Sequence, residues 1–539
     1  MPRSKPIWAV GVIALAILAA YANSLRGAFV FDDWIWLDST AAGKAAGLGA
    51  QRLIPRLTYA LNFWMSGDRP WSYHLFNVGI HFLTAVTLYG LARLTLQRPI
   101  FRGRCGSAAD GLALAIAVLW AIHPLNTASV DYISQRTELL MGLCYLLTLY
   151  CFARGAAAEA RGFWLPLAVV ACVAGMASKE VMVTAPALVL LYDRTFIVGS
   201  FPAAWAKRRG FYAALAGSWL VLIVILFRGL RTQSVGFDYG VSAWTYALTA
   251  SRTLWIYLGL TVWPRPLVFD YGQDYVSHFG AATPYIFATV GMLIGLGALL
   301  ARRPLLAFAG CWWIGILAPT TSVIPIAEQP VAENRLYLPL MAVVSVLVVG
   351  TYGLLGRRAG WLGLAIALAL GGVTLRRNPA YRSEVSIWAD TVAKRPENAR
   401  ARNALGVAYL VAGQPHAAVL SLEEATRLQP DYAPARRNLA AALAAQRTLA
   451  GQINNRANDL MAAGRPADAW VQYRDAVQLQ PEDAPLHKNL AMALYATGHL
   501  PEAVQECETA LRLDPADADA ANKLGHLRAL LAARSSQPR

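Results

Sequence analysis

Two adjacent carboxylates, Asp32 and Asp33, stand in the segment Phe29-Val30-Phe31-Asp32-Asp33-Trp34. The segment follows the first long apolar run, which puts both acids at a bilayer surface. A carboxylate partly stripped of water there acquires a raised pKa and can take a proton from a hydroxyl acceptor. Acids and aromatics also suit a helix end at headgroup depth, so the same residues read equally as an interfacial cap. Cations recur further along: Arg136 in Gln135-Arg136-Thr137-Glu138, Lys179 in Ser178-Lys179-Glu180, and Arg335 in Glu333-Asn334-Arg335-Leu336. Arginine holds phosphate bidentately and lysine holds it as a point charge. Charges this close to hydrocarbon are costly and usually functional. The structural alternative for the two arginines is a local ion pair, Arg136 with Glu138 and Arg335 with Glu333. Arg56, His74, His123, Glu180 and Glu333 complete the candidates. His74 and His81 are seven apart and share a helix face, but no third ligand stands at a metal-ligand spacing. No ligand cluster decides for or against a divalent cation, and the cofactor stays open.

Helices long enough to carry these groups are legible. The chain has 539 residues, 56% of them hydrophobic and only 15% charged, with a mean hydropathy of +0.40. A bilayer span needs about 20 apolar residues. Such runs lie at 6–22, 76–96, 109–125, 138–153, 162–177, 181–197, 211–228, 284–301, 305–320, 336–355 and 360–376, eleven in all. The first could be a signal peptide, but no small-residue cleavage site is clear, so it reads as a span. A further candidate, 250–264, is short and ends in Trp263-Pro264-Arg265-Pro266, as a re-entrant or interfacial segment would.

The formal charge of +16 sits largely in short loops between runs. That distribution points to membrane orientation, and no basic-aromatic motif suggests nucleic acid. Arg3, Lys5, Arg98, Arg102, Arg104, Lys207, Arg208, Arg209, Arg302, Arg303, Arg357 and Arg358 then face the cytoplasm. If 250–264 does not fully cross, the N-terminus is inside, and loops 23–75, 126–137, 178–180, 229–283 and 321–335 are outside with the C-terminal region; an even number of spans would put that region in the cytoplasm. The short loops and Ala/Arg-rich composition point to a bacterial inner membrane. The six cysteines include no Cys-x-x-Cys pair and read as free thiols.

Composition shifts once, near Arg376-Arg377-Asn378-Pro379, dividing the chain into 1–377 and 378–539. The second part is repetitive. Pro396 to Pro430 is 34 residues, Pro481 to Pro515 is 34 again, and Pro430 to Pro481 is 51. Leu405, Gly406, Tyr409, Gly413 and Ala418 recur in kind as Leu490, Ala491, Leu494, Gly498 and Ala503. A 34-residue period of this pattern is a tetratricopeptide signal, implying paired helices stacked into an α-solenoid with a concave binding surface. The odd half unit near 432–449 predicts one elongated helix. The fold class expected is therefore all-α: a polytopic membrane bundle of about 11 spans followed by the repeat solenoid.

The chain resembles the TMTC-type tetratricopeptide-repeat transmembrane O-mannosyltransferases of the GT-C glycosyltransferase superfamily, as a bacterial relative. The resemblance rests on Asn23-Ser24-Leu25 with Phe29 to Asp33, Arg56-Leu57-Thr58, Tyr73-His74-Leu75-Phe76-Asn77-Val78 and His81. It continues through His123-Pro124-Leu125-Asn126-Thr127 with Arg136, Lys179-Glu180 and Glu333 to Pro339. It implies a GT-C-like bundle and an inverting transferase. Such an enzyme moves a sugar, mannose by kinship, from a polyprenyl-phosphate donor to protein hydroxyls on the non-cytoplasmic face. It also implies that Asp32 and Asp33 are catalytic; Arg136, Lys179 and Arg335 are assigned to the donor phosphate from charge and position. The family often has many regular repeats and this chain has few, which leaves the acceptor open. Two alternatives compete: a non-catalytic membrane scaffold whose repeats assemble envelope proteins, and a lipid or polysaccharide glycosyltransferase on the same fold.

Overall fold

The computed structural model describes residues 7–41, 52–101, 103, 105–157, 162–227, 241–321, 326 and 328–535. Arg3, Lys5, Arg102 and Arg104 fall outside them. The described residues are helical, with no strand among them. Two compact units are present, Met1–Pro396 and Glu397–Arg539. The division falls beyond the composition shift at Arg377, because the segment after the last apolar helix packs with the first unit.

In the first unit the chain runs through α1 (Ile7–Tyr21), α2 (Asp33–Ala41), α3 (Leu53–Ser66), α4 (Trp71–Leu96), α5 (Ala109–Ala121), α6 (Thr127–Val130) and α7 (Arg136–Gly155). It continues with α8 (Trp164–Met176), α9 (Ala185–Asp193), α10 (Phe201–Gly217), α11 (Trp219–Phe227) and α12 (Ala243–Val262). The last helices are α13 (Phe279–Arg302), α14 (Pro304–Leu317), α15 (Pro339–Leu355), α16 (Ala359–Arg377) and α17 (Glu384–Lys394). The core is aliphatic and aromatic side chains of α1, α4, α5, α7, α9, α14 and α15. Gly142 lets Tyr337 lie against α7; a Cβ there would stand 2.8 Å from the tyrosine ring.

Every apolar run contains a helix, and the unit is an integral membrane bundle. By length and composition, seven described helical segments can cross a bilayer, or eight if the bent pair Gly106–Ala121 and Pro124–Val130 is one span. The runs at 162–177 and 305–320 form the shorter helices α8 and α14, and 339–382 counts as one apolar stretch although Gly356 (φ +56°) turns it between α15 and α16. Segment 250–264 begins in α12 and runs two residues past its end at Val262; the helix is long enough but not apolar enough to count as a span. Arg252 interrupts it and pairs with Asp274 at 3.1 Å.

Two ends of the bundle can be told apart. Asn378 Nδ2 donates to Ala20 O (2.8 Å) and Asn23 Oδ1 (2.7 Å), and Ala28 N donates to Tyr381 O at 3.1 Å. The exit of α16 therefore lies beside the exit of α1.

The second unit stacks α18 (Ala399–Val411), α19 (Pro415–Leu428), α20 (Ala433–Ala462), α21 (Pro466–Leu479), α22 (Ala484–Ala496), α23 (Leu500–Leu513) and α24 (Ala518–Ser535). Gly413, Gly464 and Gly498 take φ of +72°, +71° and +86° at the turns into α19, α21 and α23, a conformation that costs glycine little. The elongated helix expected near 432–449 is α20, 30 residues long. Its two halves each do the work of a first repeat helix. Asn438 donates to Asn403, 35 residues earlier, at 2.8 Å, and Asn454 accepts from Asn489, 35 residues later, at 2.9 Å. The 51-residue interval is thus a repeat and a half whose middle turn was never made.

Small residues set the spacing of each pair. A Cβ on Gly406 would stand 2.4 Å from Leu422 Cγ in the facing helix. Gly406→Val should cost about 1–3 kcal/mol by overpacking. Hydrogen exchange should accelerate across α18 and α19 while α4 and α7 keep their protection.

Candidate active site

Asp33 is the first residue of α2 and is 1% exposed. Its Oδ2 accepts from Val30 N at 3.0 Å; its Oδ1 accepts from both the amide and the hydroxyl of Ser134, each at 2.6 Å. Burial pushes this carboxyl up to about 7, against the three hydrogen bonds that pull it down. Both oxygens are spent on the protein, so Asp33 anchors the loop.

Asp32 is held differently. It is only partly buried, and its amide donates to the Tyr132 hydroxyl at 3.2 Å. The residue before it, Phe31, has φ +50°, a left-handed conformation that a bulky side chain rarely adopts. Such strain persists only where surrounding contacts over-determine it. Here Glu384 supplies them, its Oε1 accepting from Phe31 N at 3.0 Å and from Trp34 Nε1 at 3.2 Å. The Phe31 ring packs edge-on against Trp388 and Phe269 at centroid distances of 5.5 and 6.3 Å. The adjacent aspartates, similar in sequence, differ in burial: Asp33 is buried and Asp32 half-buried.

The cations also separate. Arg136 is fully buried at the start of α7. Its Nε donates to Asn77 Oδ1 (2.8 Å), its Nη1 to Asn62 Oδ1 (2.6 Å) and its Nη2 to Tyr73 O (3.0 Å). The Tyr59 ring lies 4.3 Å from the guanidinium carbon. Arg136 was expected to bind donor phosphate; here its fork is engaged by α3 and α4. The local pair with Glu138 does not form either. Glu138 takes Lys179 instead, in a close ion pair between two side chains that are 2% and 11% exposed.

Arg335 and Glu333 do not pair. Arg335 donates to the carbonyls of Pro330 (3.0 Å) and Gln329 (2.6 Å). Glu333 is buried, accepts from Val268 N and from the Tyr271 hydroxyl, and leaves Oε2 without a partner. Burial raises its pKa, and the Arg377 guanidinium opposes that rise. Asn334 donates to Gln135 at 2.8 Å, which brings the 333–336 turn to the start of α7.

The remaining candidates lie in varied surroundings. His74 is buried against Gly27, where a Cβ would stand 2.5 Å from its Nε2. His81 bonds Tyr337 and Ala121 O, each at 2.9 Å, in the bundle interior. His123 Nδ1 accepts from Leu125 N at 3.3 Å and caps the turn that follows. Glu180 is half exposed and lies 3.7 Å from Arg52; Arg56 is half buried on α3. Among the described residues, no group of three or more His, Cys, Asp or Glu is placed to hold a metal ion.

Glu384, Ser134 and Tyr132 are the contributors that sequence reasoning passed over. Ser383 and Ser386 form the capping box of α17, which marks a helix start, but nothing local ties Glu384 to a loop some 350 positions earlier.

Tetratricopeptide-repeat family models match residues 399–432 and 460–527. The mouse protein O-mannosyl-transferase TMTC3 is 22% identical over 491 residues, covering 80% of this chain and 52% of its own. Human TMTC3 is 23% identical over 493 residues, with the same two shares. Drosophila melanogaster Tmtc3 is 24% identical over 513 residues, covering 78% of this chain and 55% of its own. The chain is a relative of the TMTC-type tetratricopeptide-repeat O-mannosyl-transferases. It spans about half the length of the curated relatives it matches. Among solved structures, an anaphase-promoting-complex assembly, Cut9–Hcn1, aligns at 12% identity with a TM-score of 0.15, too low to bear on the fold.

Two outcomes follow from the geometry. Arg136→Met strands the acceptors on Asn62, Asn77 and Tyr73, each worth about 1–3 kcal/mol when left unpaired; the protein should melt several degrees lower in detergent. For Asp33 the folded pKa lies above the unfolded value of about 3.9. Its contribution is therefore fully present below about pH 4 and is lost as pH rises through about 7. Melting temperature should fall more steeply between pH 4 and 7 in wild type than in Asp33→Asn; equal slopes would refute the assignment.

Proposed function

We propose that this chain is a membrane glycosyltransferase that moves a sugar, mannose by kinship, from a polyprenyl-phosphate donor to a hydroxyl of a protein acceptor. The observation that carries the reading is the treatment of Asp32. A half-buried aspartate that follows a strained residue, its backbone held by Tyr132, by Glu384 through Phe31 and by its neighbour Asp33, is more than an interfacial cap requires. The names of the relatives supply the reaction class.

In this reading Asp32 takes the proton of the acceptor hydroxyl as the oxygen attacks the anomeric carbon. The bond from that carbon to the donor phosphate oxygen breaks, the configuration inverts, and polyprenyl phosphate leaves with the electron pair. Arg335 and Lys179 hold the phosphate charge, with Glu138 orienting Lys179. Preorganised cations facing the leaving group stabilise charge that develops in the transition state. Asp33 keeps Asp32 in place and Arg136 keeps the α7 entrance in place. The repeats recruit the acceptor protein.

The same reading places the site on the non-cytoplasmic face of a bacterial inner membrane, with the N-terminus cytoplasmic. The packing of 378–384 on the first loop supports an exit of the chain on the side of Asp32, and the repeats then share that compartment.

The test is a transfer assay in detergent with radiolabelled polyprenyl-phosphate mannose and a membrane-extract acceptor pool. Asp32→Asn should lower transfer by about 10²-fold or more, the range of a general base, without changing the melting temperature. Asp33→Asn should lower both. Unchanged transfer in Asp32→Asn would sink the catalytic role. Label arriving in lipid or glycan would replace the acceptor and keep the enzyme.

A further inference from the structure

The first unit contains an apolar cavity that the proposed reaction does not use. It has a volume of about 620 Å³ and is walled by Leu88 and Leu96 of α4, Ile116 of α5, Leu146 of α7, Phe308 of α14 and Val346 of α15. That is the size of a ligand site. It lies at the far end of the bundle from Asp32. Tyr73, at the start of α4, packs on Phe29 beside the acidic pair at 5.1 Å. Leu88 is fifteen residues further along the same helix, roughly 22 Å at 1.5 Å per residue.

The walls favour hydrocarbon over water. A buried water needs two to four polar partners, and the polar side chains here are already committed. Thr95 Oγ1 donates to Leu91 O at 2.8 Å and meets the Tyr192 hydroxyl at 2.7 Å. Ser345 donates to Met341 O at 2.7 Å, and Trp312 Nε1 donates to Leu338 O at 2.9 Å. The Cys105 thiol adds only a weakly polar atom.

The rim is the opposite. Arg302 and Arg303 close one side of the cavity, both exposed, and neither has an acidic partner among the described residues. An occupant must therefore be apolar along its length, slender enough to pass between helices, and anionic at one end.

We propose that this cavity is a binding site for an anionic glycerophospholipid, with one acyl chain between α4, α14 and α15 and the phosphate on Arg302 and Arg303. The site is separate from the sugar donor's, and it stands whether or not the chain is a transferase. Basic residues at a membrane surface each favour anionic lipid by a factor of roughly five, so the pair gives about 30-fold.

Native mass spectrometry of the full chain, in detergent with equimolar phosphatidylglycerol and phosphatidylcholine, tests this. Wild type should retain one phosphatidylglycerol with a preference of about 30-fold. Arg302→Gln with Arg303→Gln should bring the preference near parity at an unchanged melting temperature, since both side chains are exposed. Ala92→Phe, which fills the cavity from α4, should abolish retention of either lipid. Equal retention of the two lipids by wild type would overturn the proposal, as would an undiminished preference in the double variant. Displacement of phosphatidylglycerol by added polyprenyl phosphate would overturn it in favour of a second carrier site.

Discussion

A buried carboxylate governs this end of the molecule. Asp33 leaves water almost completely, and a carboxylate does so only where donors replace its hydration. Three are supplied, one from its own loop and two from Ser134, a hundred residues later. Residues 30–34 therefore cannot be positioned until the entrance to α7 is, and Asp32 inherits that position as the next residue along the chain. The left-handed Phe31 is the mechanical consequence. It turns the backbone just before the two aspartates, one buried and one half-buried, and Glu384 and Tyr132 hold the turn.

Ser134 is itself fixed by Arg136, two residues on. The guanidinium reaches across α3 and α4, bonds an amide oxygen on each, and stacks on Tyr59. An ion pair would not do this as well. A charge partner satisfies one direction, whereas a planar fork spread over three neutral acceptors and a ring is rigid in all of them. Glu138, which does not pair with Arg136, is left to Lys179.

What could be read in advance follows from how far each signal travels along the chain. The repeats were legible because their period is local, and even the fused α20 was visible as a 51-residue interval between prolines. The apolar runs were legible as helices, but whether each crosses depends on length and interruption: α14 spans 14 residues, and α12 carries Arg252. Asp32 and Asp33 stood out by adjacency, yet their surroundings are set by Ser134 and Glu384, which are distant in sequence. The surroundings of Arg136 were not legible for the same reason. Glu138 is its conspicuous neighbour on paper, while Asn62, Asn77 and Tyr73 meet it only after α3 and α4 have folded back.

The tie between the first loop and the segment after α16 bears on the choice between enzyme and scaffold. An anchor for a repeat domain needs apolar helices and a junction; it needs no particular conformation at residue 31. Here the junction reaches back. Asn378 bonds the end of α1, Tyr381 accepts from Ala28, and Glu384 holds the strained turn itself. A left-handed phenylalanine costs of order 1–3 kcal/mol, and glycine at that position would remove the cost at once if the loop served only as a connection. Keeping the strain, and enlisting both ends of the membrane unit to hold it, is consistent with a site where the direction of one carboxylate matters.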